Sequence, residues 1–221
     1  MSWCYRHLIR PLLFLQESEK AHDRTLQAMA WLSGNPDLLS LVAGWYDAPE
    51  LPVRVFGLTF PNPVGLGAGM DKQAEALPMW RALGLGFCEI GGVTWHPQPG
   101  NPKPRMFRAI GDQALVNRMG FNNGGAEAMA ATLSRWRDQG LWPAHPVGIN
   151  LGKSKVTPND RAVDDYAASF RLLRPLADFF VVNVSSPNTP NLRQLQDRSA
   201  LDGILSALQE INRTGDAAHR R

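Results

Sequence analysis

The chain has 221 residues, 44% of them hydrophobic and 19% charged, which is enough apolar material for one sizeable core and too ordered a composition for a disordered chain. Its formal net charge of +3 suits an anionic ligand or an acidic membrane surface, but no Lys/Arg run and no basic stripe interleaved with aromatics points to nucleic acid. The two cysteines, Cys4 and Cys88, have neither metal-ligand spacing nor the number for a disulfide framework, so no metal, a reducing compartment, one terminal thiol and one core thiol are expected.

At the N-terminus, Trp3, Leu8, Ile9, Leu12, Leu13, Phe14 and Leu15 crowd a short segment broken by Pro11, with Arg6, His7 and Arg10 beside them. That composition fits a helix lying in a membrane interface, and equally a helical cap packed on a barrel end. No stretch has the apolar length to span a bilayer, and the segment lacks a signal peptide's uninterrupted apolar region and cleavage site. A helix is expected from Glu17 to Leu32, where Leu26, Met29 and Leu32 recur at helical spacing, and a third starts at Pro36. The turn-rich stretch Asp47-Ala48-Pro49-Glu50-Leu51-Pro52 divides this extension, residues 1–46, from a domain at 53–221.

Val53–Phe60 reads as a small hairpin. Beyond it strands at Val64–Gly67, Phe87–Gly92, Val147–Leu151 and Phe179–Val184 alternate with helices at Ala74–Leu83, Ala126–Arg137, Asp160–Leu173 and Ser199–Asn212. Four strand-then-helix units predict a parallel sheet with helices outside it, and the architecture expected is a (β/α)8 TIM barrel. A full barrel takes eight units and typically ~250 residues. The sequence after Pro52 supplies only the first four βα units before the polar tail that begins at Thr214.

The apolar strand Phe179-Phe180-Val181-Val182 runs straight into Asn183-Val184-Ser185-Ser186-Pro187-Asn188-Thr189-Pro190. A polar loop at a strand's end is where α/β enzymes keep their chemistry. Two carboxamides around a hydroxyl pair, stiffened by two prolines, suit a planar, amide-rich ligand, although the same residues are also ordinary turn chemistry. Two further segments share this character: Phe60 to Lys72, a glycine-rich loop ending in a cation, and Asn117-Arg118-Met119-Gly120-Phe121-Asn122-Asn123.

Taken in this order, the three motifs resemble those of the quinone-linked (class 2) dihydroorotate dehydrogenases, flavoenzymes of pyrimidine biosynthesis. The resemblance runs from about the first helix to the end of the chain. It implies FMN as cofactor, dihydroorotate as the substrate oxidised to orotate, and a membrane quinone as electron acceptor. It also implies peripheral attachment through N-terminal helices that form the quinone's entrance, at the cytoplasmic face of a bacterial inner membrane. The reaction removes a proton from one ring carbon and a hydride from its neighbour, so a base and a flavin must flank the substrate.

By the same resemblance Ser186 is the base, assisted by a water or hydroxyl relay because a serine is a poor base at its free pKa. The soluble class 1 enzymes, similar in this loop, carry cysteine there, so serine favours class 2. Lys72, Asn117, Arg118, Met119, Gly120, Phe121, Asn183 and Asn188 match substrate-binding positions. Ala68, Gly69, Met70, Asp71, Lys72, Gly92, Asn150 and Asn183 match flavin contacts, several through backbone. Each residue also has a plainer reading: Ser186 or Ser185 caps the turn before Pro187, Asn117 and Asn188 sit in surface turns, and Lys72 is a surface lysine.

Two positions depart from the family. Gly91-Gly92 stands where a glycine is usually followed by Ser or Thr, which removes a hydroxyl from the flavin side. Asn191 replaces a usual glycine, a change the loop should survive because asparagine tolerates positive φ. Because the later flavin- and phosphate-binding segments have no counterpart, the competing expectation is a non-catalytic remnant that keeps the helices and part of the substrate pocket.

Overall fold

The computed structural model describes residues 3–46 and 51–215. Most of the dividing stretch, residues 47–50, and the tail 216–221 lie outside the described residues. A π-helical turn, Tyr5–Ile9, leads into α1 (Arg10–Phe14), then α2 (Ser18–Ser33) and α3 (Pro36–Trp45). The two longer helices start where the sequence supplies caps. The Glu17 carboxylate accepts the amides of Glu19 and Lys20, and the Asn35 carboxamide accepts those of Asp37 and Leu38 ahead of a helix with Pro36 in its first turn.

The hairpin forms as expected: β1 (Val53–Val55) and β2 (Leu58–Phe60) pair antiparallel about Phe56-Gly57. Both turn residues take positive φ, 52° and 79°, which matches the right-handed twist of the flanking strands. The Phe60 ring meets Phe87 and Phe179 at centroid distances of 5.6 and 6.3 Å. These three rings close the end of the sheet at which its strands begin. Gly148 makes room for them, since a Cβ there would stand 2.2 Å from the Phe179 ring.

Three parallel strands, β3 (Cys88–Val93), β6 (Val147–Gly152) and β7 (Phe179–Asn183), lie side by side in that order. The expected strand Val64–Gly67 takes the next position, reduced to a single parallel bridge between Leu66 and Cys88 with flanking bonds from Leu66 N to Phe87 O and Gly86 N to Val64 O. Helices α4 (Leu77–Ala82), α5 (Gly125–Asp138), α6 (Ala162–Leu173) and α7 (Arg198–Thr214) cover the outside. The outward residues of the strands pack on them, as where the Phe180 ring meets Phe170 edge-on at 4.8 Å. Four neighbouring βα units in sequential order form one side of an α/β barrel. Among the described residues no strand pairs with the outer edge of β7.

Two local departures have physical causes. The helix expected over Ala74–Leu83 begins only at Leu77, because Ala74 sits at φ 56° and the buried Asp71 carboxylate claims the amides of Glu75 and Ala76 and the Trp80 indole N–H. Between β3 and α5 an unforeseen hairpin, β4 (Met106–Ala109) with β5 (Ala114–Asn117), projects from the strand ends. Asn117, expected in a loop, therefore ends β5. Cys4 is exposed and Cys88 buried, as read from the sequence.

Candidate active site

The C-terminal ends of β3, β6 and β7 carry a directed chain of amides. Glu89, which points into the barrel from β3, accepts from Asn150 Nδ2 at 2.6 Å; Asn150 Oδ1 accepts from Asn183 Nδ2 at 3.0 Å; and Asn183 Oδ1 accepts from the Ser185 amide and hydroxyl at 3.1 and 3.3 Å. Because Asn150 turns its NH2 to the Glu89 oxygen, its own Oδ1 faces Asn183, and so Glu89 sets which way both carboxamides face. Each amide NH2 retains one N–H beyond those the chain uses, and these suit ring carbonyls or nitrogens. The fully buried Tyr166 locks β7 from behind by donating to Asn183 O at 2.8 Å.

Phe121 lies across this end of the sheet. A Cβ on Gly92 would come within 2.7 Å of its ring and 3.2 Å of Asn150 Oδ1, and one on Gly152 within 3.1 Å of the same ring. Beside it, Gly69 N donates to Gly91 O at 2.7 Å. Gly69 has φ 106° and nothing within 4 Å of where a Cβ would stand, so the backbone after Ala68 is open to close approach by a flat ligand. Asp71, by contrast, spends its carboxylate on the α4 turn and its carbonyl on the Gly91 amide, so what it can offer a ligand is its backbone N–H.

Lys72 and Met70 face a separate cavity of about 390 Å³ between the barrel rim and α2, lined also by His22, Leu26, Arg105 and Asn122. Burial lowers the Lys72 pKa from its ordinary value, and the neighbouring Arg105 charge lowers it further. Asp23 and Glu75 line the same cavity, so the charges around Lys72 are mixed. Burial and then Lys72 likewise depress His22. Arg105 is itself held: its guanidinium contacts the Glu19 carboxylate at 2.7 Å and donates to Asn101 O at 2.9 Å. Lys103 adds an ion pair to Glu19 at 3.1 Å.

Burial alone would raise the Glu19 pKa, but hydrogen bonds from Arg105 and Lys103 outweigh it and hold the carboxyl below its ordinary value. A folded pKa below the unfolded one gives stability that is present above the unfolded value and lost as pH falls through the folded value. Unfolding free energy measured in urea should therefore drop as pH is lowered from about 4.5. The variant Arg105→Ala should cost roughly 1–3 kcal/mol at neutral pH, because it leaves the buried Glu19 carboxylate with Lys103 as its remaining ion-pair partner. A loss under 1 kcal/mol would show that Glu19 finds solvent or another partner.

The remaining expected residues fall into two loops tied together by Asn101. Its backbone N–H donates to Met119 O at 2.9 Å, and its side chain reaches Arg118 O at 2.9 Å and Asn188 O at 3.4 Å. Gly120 O accepts from Gln98 at 3.1 Å. Within those loops the side chains serve the turns: Asn117 Oδ1 accepts from Met119 N, Arg118 donates to Pro104 O, and Ser186 Oγ accepts from Asn188 N at 3.3 Å. Asn191 does take the left-handed conformation, φ 58°. Ser186, Asn150 and Asn183 do not line the Lys72 cavity. Sequence reasoning missed Glu89, His22, Arg105 and Glu19. Only Glu89 left a signal, as a lone acid within an apolar strand.

A family model for dihydroorotate dehydrogenase matches residues 50–214. A relative named dihydroorotate dehydrogenase (quinone) from Thermosynechococcus vestitus is 54% identical over 217 residues, covering 94% of this chain and 58% of its own. Its namesake from Gloeobacter violaceus is 54% identical over 214 residues, covering 93% and 57%. The crystal structure of the dihydroorotate dehydrogenase of Eimeria tenella in complex with ferulenol superposes with a TM-score of 0.73 at 41% identity, over 88% of this chain and 51% of that one. The chain thus spans a little over half the length of the relatives it matches. With that reach of identity and a matching barrel segment, the chain belongs to the dihydroorotate dehydrogenase family.

Proposed function

We propose that this chain forms the substrate and flavin side of a quinone-linked dihydroorotate dehydrogenase, oxidising dihydroorotate to orotate through FMN and passing electrons to a membrane quinone. The observation that carries the reading is the directed Glu89–Asn150–Asn183 chain, which holds amide donors at adjoining strand ends. The residues fit a flavin: unspent N–H groups on Asn150 and Asn183, open backbone at Ala68–Gly69, and a desolvated cation at Lys72. Bound FMN would supply a hydride acceptor. Lys72 would offset negative charge on the substrate carboxylate or the reduced ring.

Asn117, Asn183 and Asn188 would hold the ring's C=O and N–H groups, and the Arg118–Phe121 loop would cover it. Gly92 would serve through its backbone alone. Ser186 would take the ring proton. The Asn188 N–H already donates to Ser186 Oγ, which leaves the hydroxyl proton free for a relay and stabilises negative charge developing on the oxygen.

Residues 1–46 would be the membrane-facing part of the molecule, and 53–221 the front half of the barrel. No helix of the described residues is long and apolar enough to cross a membrane. Trp3, Leu12 and Leu15, exposed at 69, 64 and 84%, instead suit peripheral contact, which we place at the cytoplasmic face of a bacterial inner membrane. The cavity between α2 and the barrel rim, with Leu26 and Met70 in its walls and Lys72 at the rim, would be the quinone's way in. In a complete enzyme, deleting residues 1–46 should weaken liposome binding and quinone reduction while dihydroorotate still bleaches the flavin. Equal liposome binding by both forms would remove the membrane assignment.

A further inference from the structure

Arg10 and Arg108 both lie against the Phe14 ring, their guanidinium carbons 4.9 and 4.7 Å from its centroid. Arg108, on β4, also donates to the carbonyls of Leu13 at 3.2 Å and Gln16 at 2.7 Å, so it fixes the β4–β5 hairpin to the end of α1. Between helix and hairpin runs a groove of about 300 Å³ whose walls include both arginines, Tyr5, Phe14, Ile110 and Leu115. Among the described residues no Asp or Glu lines it. Ile110 and Leu115 are 61 and 54% exposed on the hairpin, and Leu8, Leu12 and Leu15 are exposed on the N-terminal segment. Aliphatic groups massed at the surface beside unopposed cations are unusual for a face that meets only water.

We propose that this groove takes the phosphate of an anionic phospholipid, with Arg10 and Arg108 meeting its charge and Ile110 and Leu115 entering the acyl boundary. The β4–β5 hairpin then belongs to the membrane-contact surface together with the N-terminal segment; this rests on the membrane reading above. Guanidinium groups match phosphate oxygens in paired hydrogen bonds, and their weak hydration makes that exchange inexpensive. The two carbonyl bonds of Arg108 leave further N–H groups for the phosphate. Inorganic phosphate would satisfy the same charges but leave Ile110 and Leu115 in water. A lipid covers both.

The test is flotation of a complete enzyme carrying these residues with vesicles of phosphatidylcholine alone or with a fifth of the lipid replaced by phosphatidylglycerol; aggregates sink and do not count as bound. The parent should float more strongly with the anionic lipid. Arg10→Gln, which removes a ring contact and no backbone bond, should lower that partition roughly fivefold, the factor corresponding to about 1 kcal/mol per basic residue near an anionic surface. Ile110→Ser combined with Leu115→Ser should weaken flotation on both vesicles with helix content unchanged by circular dichroism. If both variants float like the parent and binding is lost only on deleting residues 1–46, the groove proposal is overturned and the membrane reading survives. A parent enzyme that floats with neither vesicle overturns both.

Discussion

In a complete enzyme, Ser186→Ala is expected to keep its flavin and lose about 10²–10⁴-fold in the rate of flavin reduction by dihydroorotate, the usual contribution of a positioned general base. The hydroxyl accepts one hydrogen bond, from Asn188 N, so its removal frees a single half-buried loop amide and should alter stability little. Rapid mixing would separate the half-reactions: the reductive step slows by that factor, whereas reoxidation by quinone does not change. A cysteine at the same position should restore part of the rate, with a lower pH at which it becomes active, because a thiol gives up its proton more readily than a hydroxyl. Reduction at the parental rate in Ser186→Ala would remove this residue from proton transfer and leave it the turn-capping role its geometry also fits.

Expressed by itself, the 221-residue chain is expected neither to hold FMN stoichiometrically nor to oxidise dihydroorotate. The outer edge of β7 presents unpaired backbone groups, and the adjacent face exposes parts of Phe179, Phe180 and Val182 beside a cavity of about 540 Å³. An open strand edge over a half-covered apolar face favours self-association. A flavin held only by Lys72, Asn150 and Asn183 would also lack the phosphate anchor that such barrels place late in their sequence. Purified chain should therefore show little absorbance in the visible flavin bands and elute as aggregates or oligomers on gel filtration. A yellow monomer that reduces dye with dihydroorotate would show that four units suffice.

The barrel was legible because its strands announce themselves twice, by apolar runs and by the polar loops that end them. Val147–Gly152 and Phe179–Asn183 lie within a residue of where they were expected. The first strand was harder, since glycines at 65 and 67 give it little side chain to pack, and it survives as one bridge. The β4–β5 hairpin escaped because Arg108 and Asn117 interrupt its apolar alternation and its turn, Ile110–Gln113, was not recognised as one. In the site, Asn150 and Asn183 were readable as carboxamides at strand ends. Their common orientation was not, because it depends on Glu89, distant from both in the sequence and brought into contact only by strand pairing. Arg105 and Glu19 were hidden for a similar reason: each looks like a surface charge until α2 packs against the rim.

Gly92 gains a different meaning from the position of Phe121. Read from the sequence, the glycine is a missing hydroxyl. In the folded chain the room that a side chain at 92 would need already belongs to an aromatic ring, which also leans on Gly152. A serine introduced at 92 would therefore act first as a wedge, displacing Phe121 before offering any hydrogen bond. The two positions are energetically interdependent, and swapping one without the other would test steric eviction more than cofactor affinity.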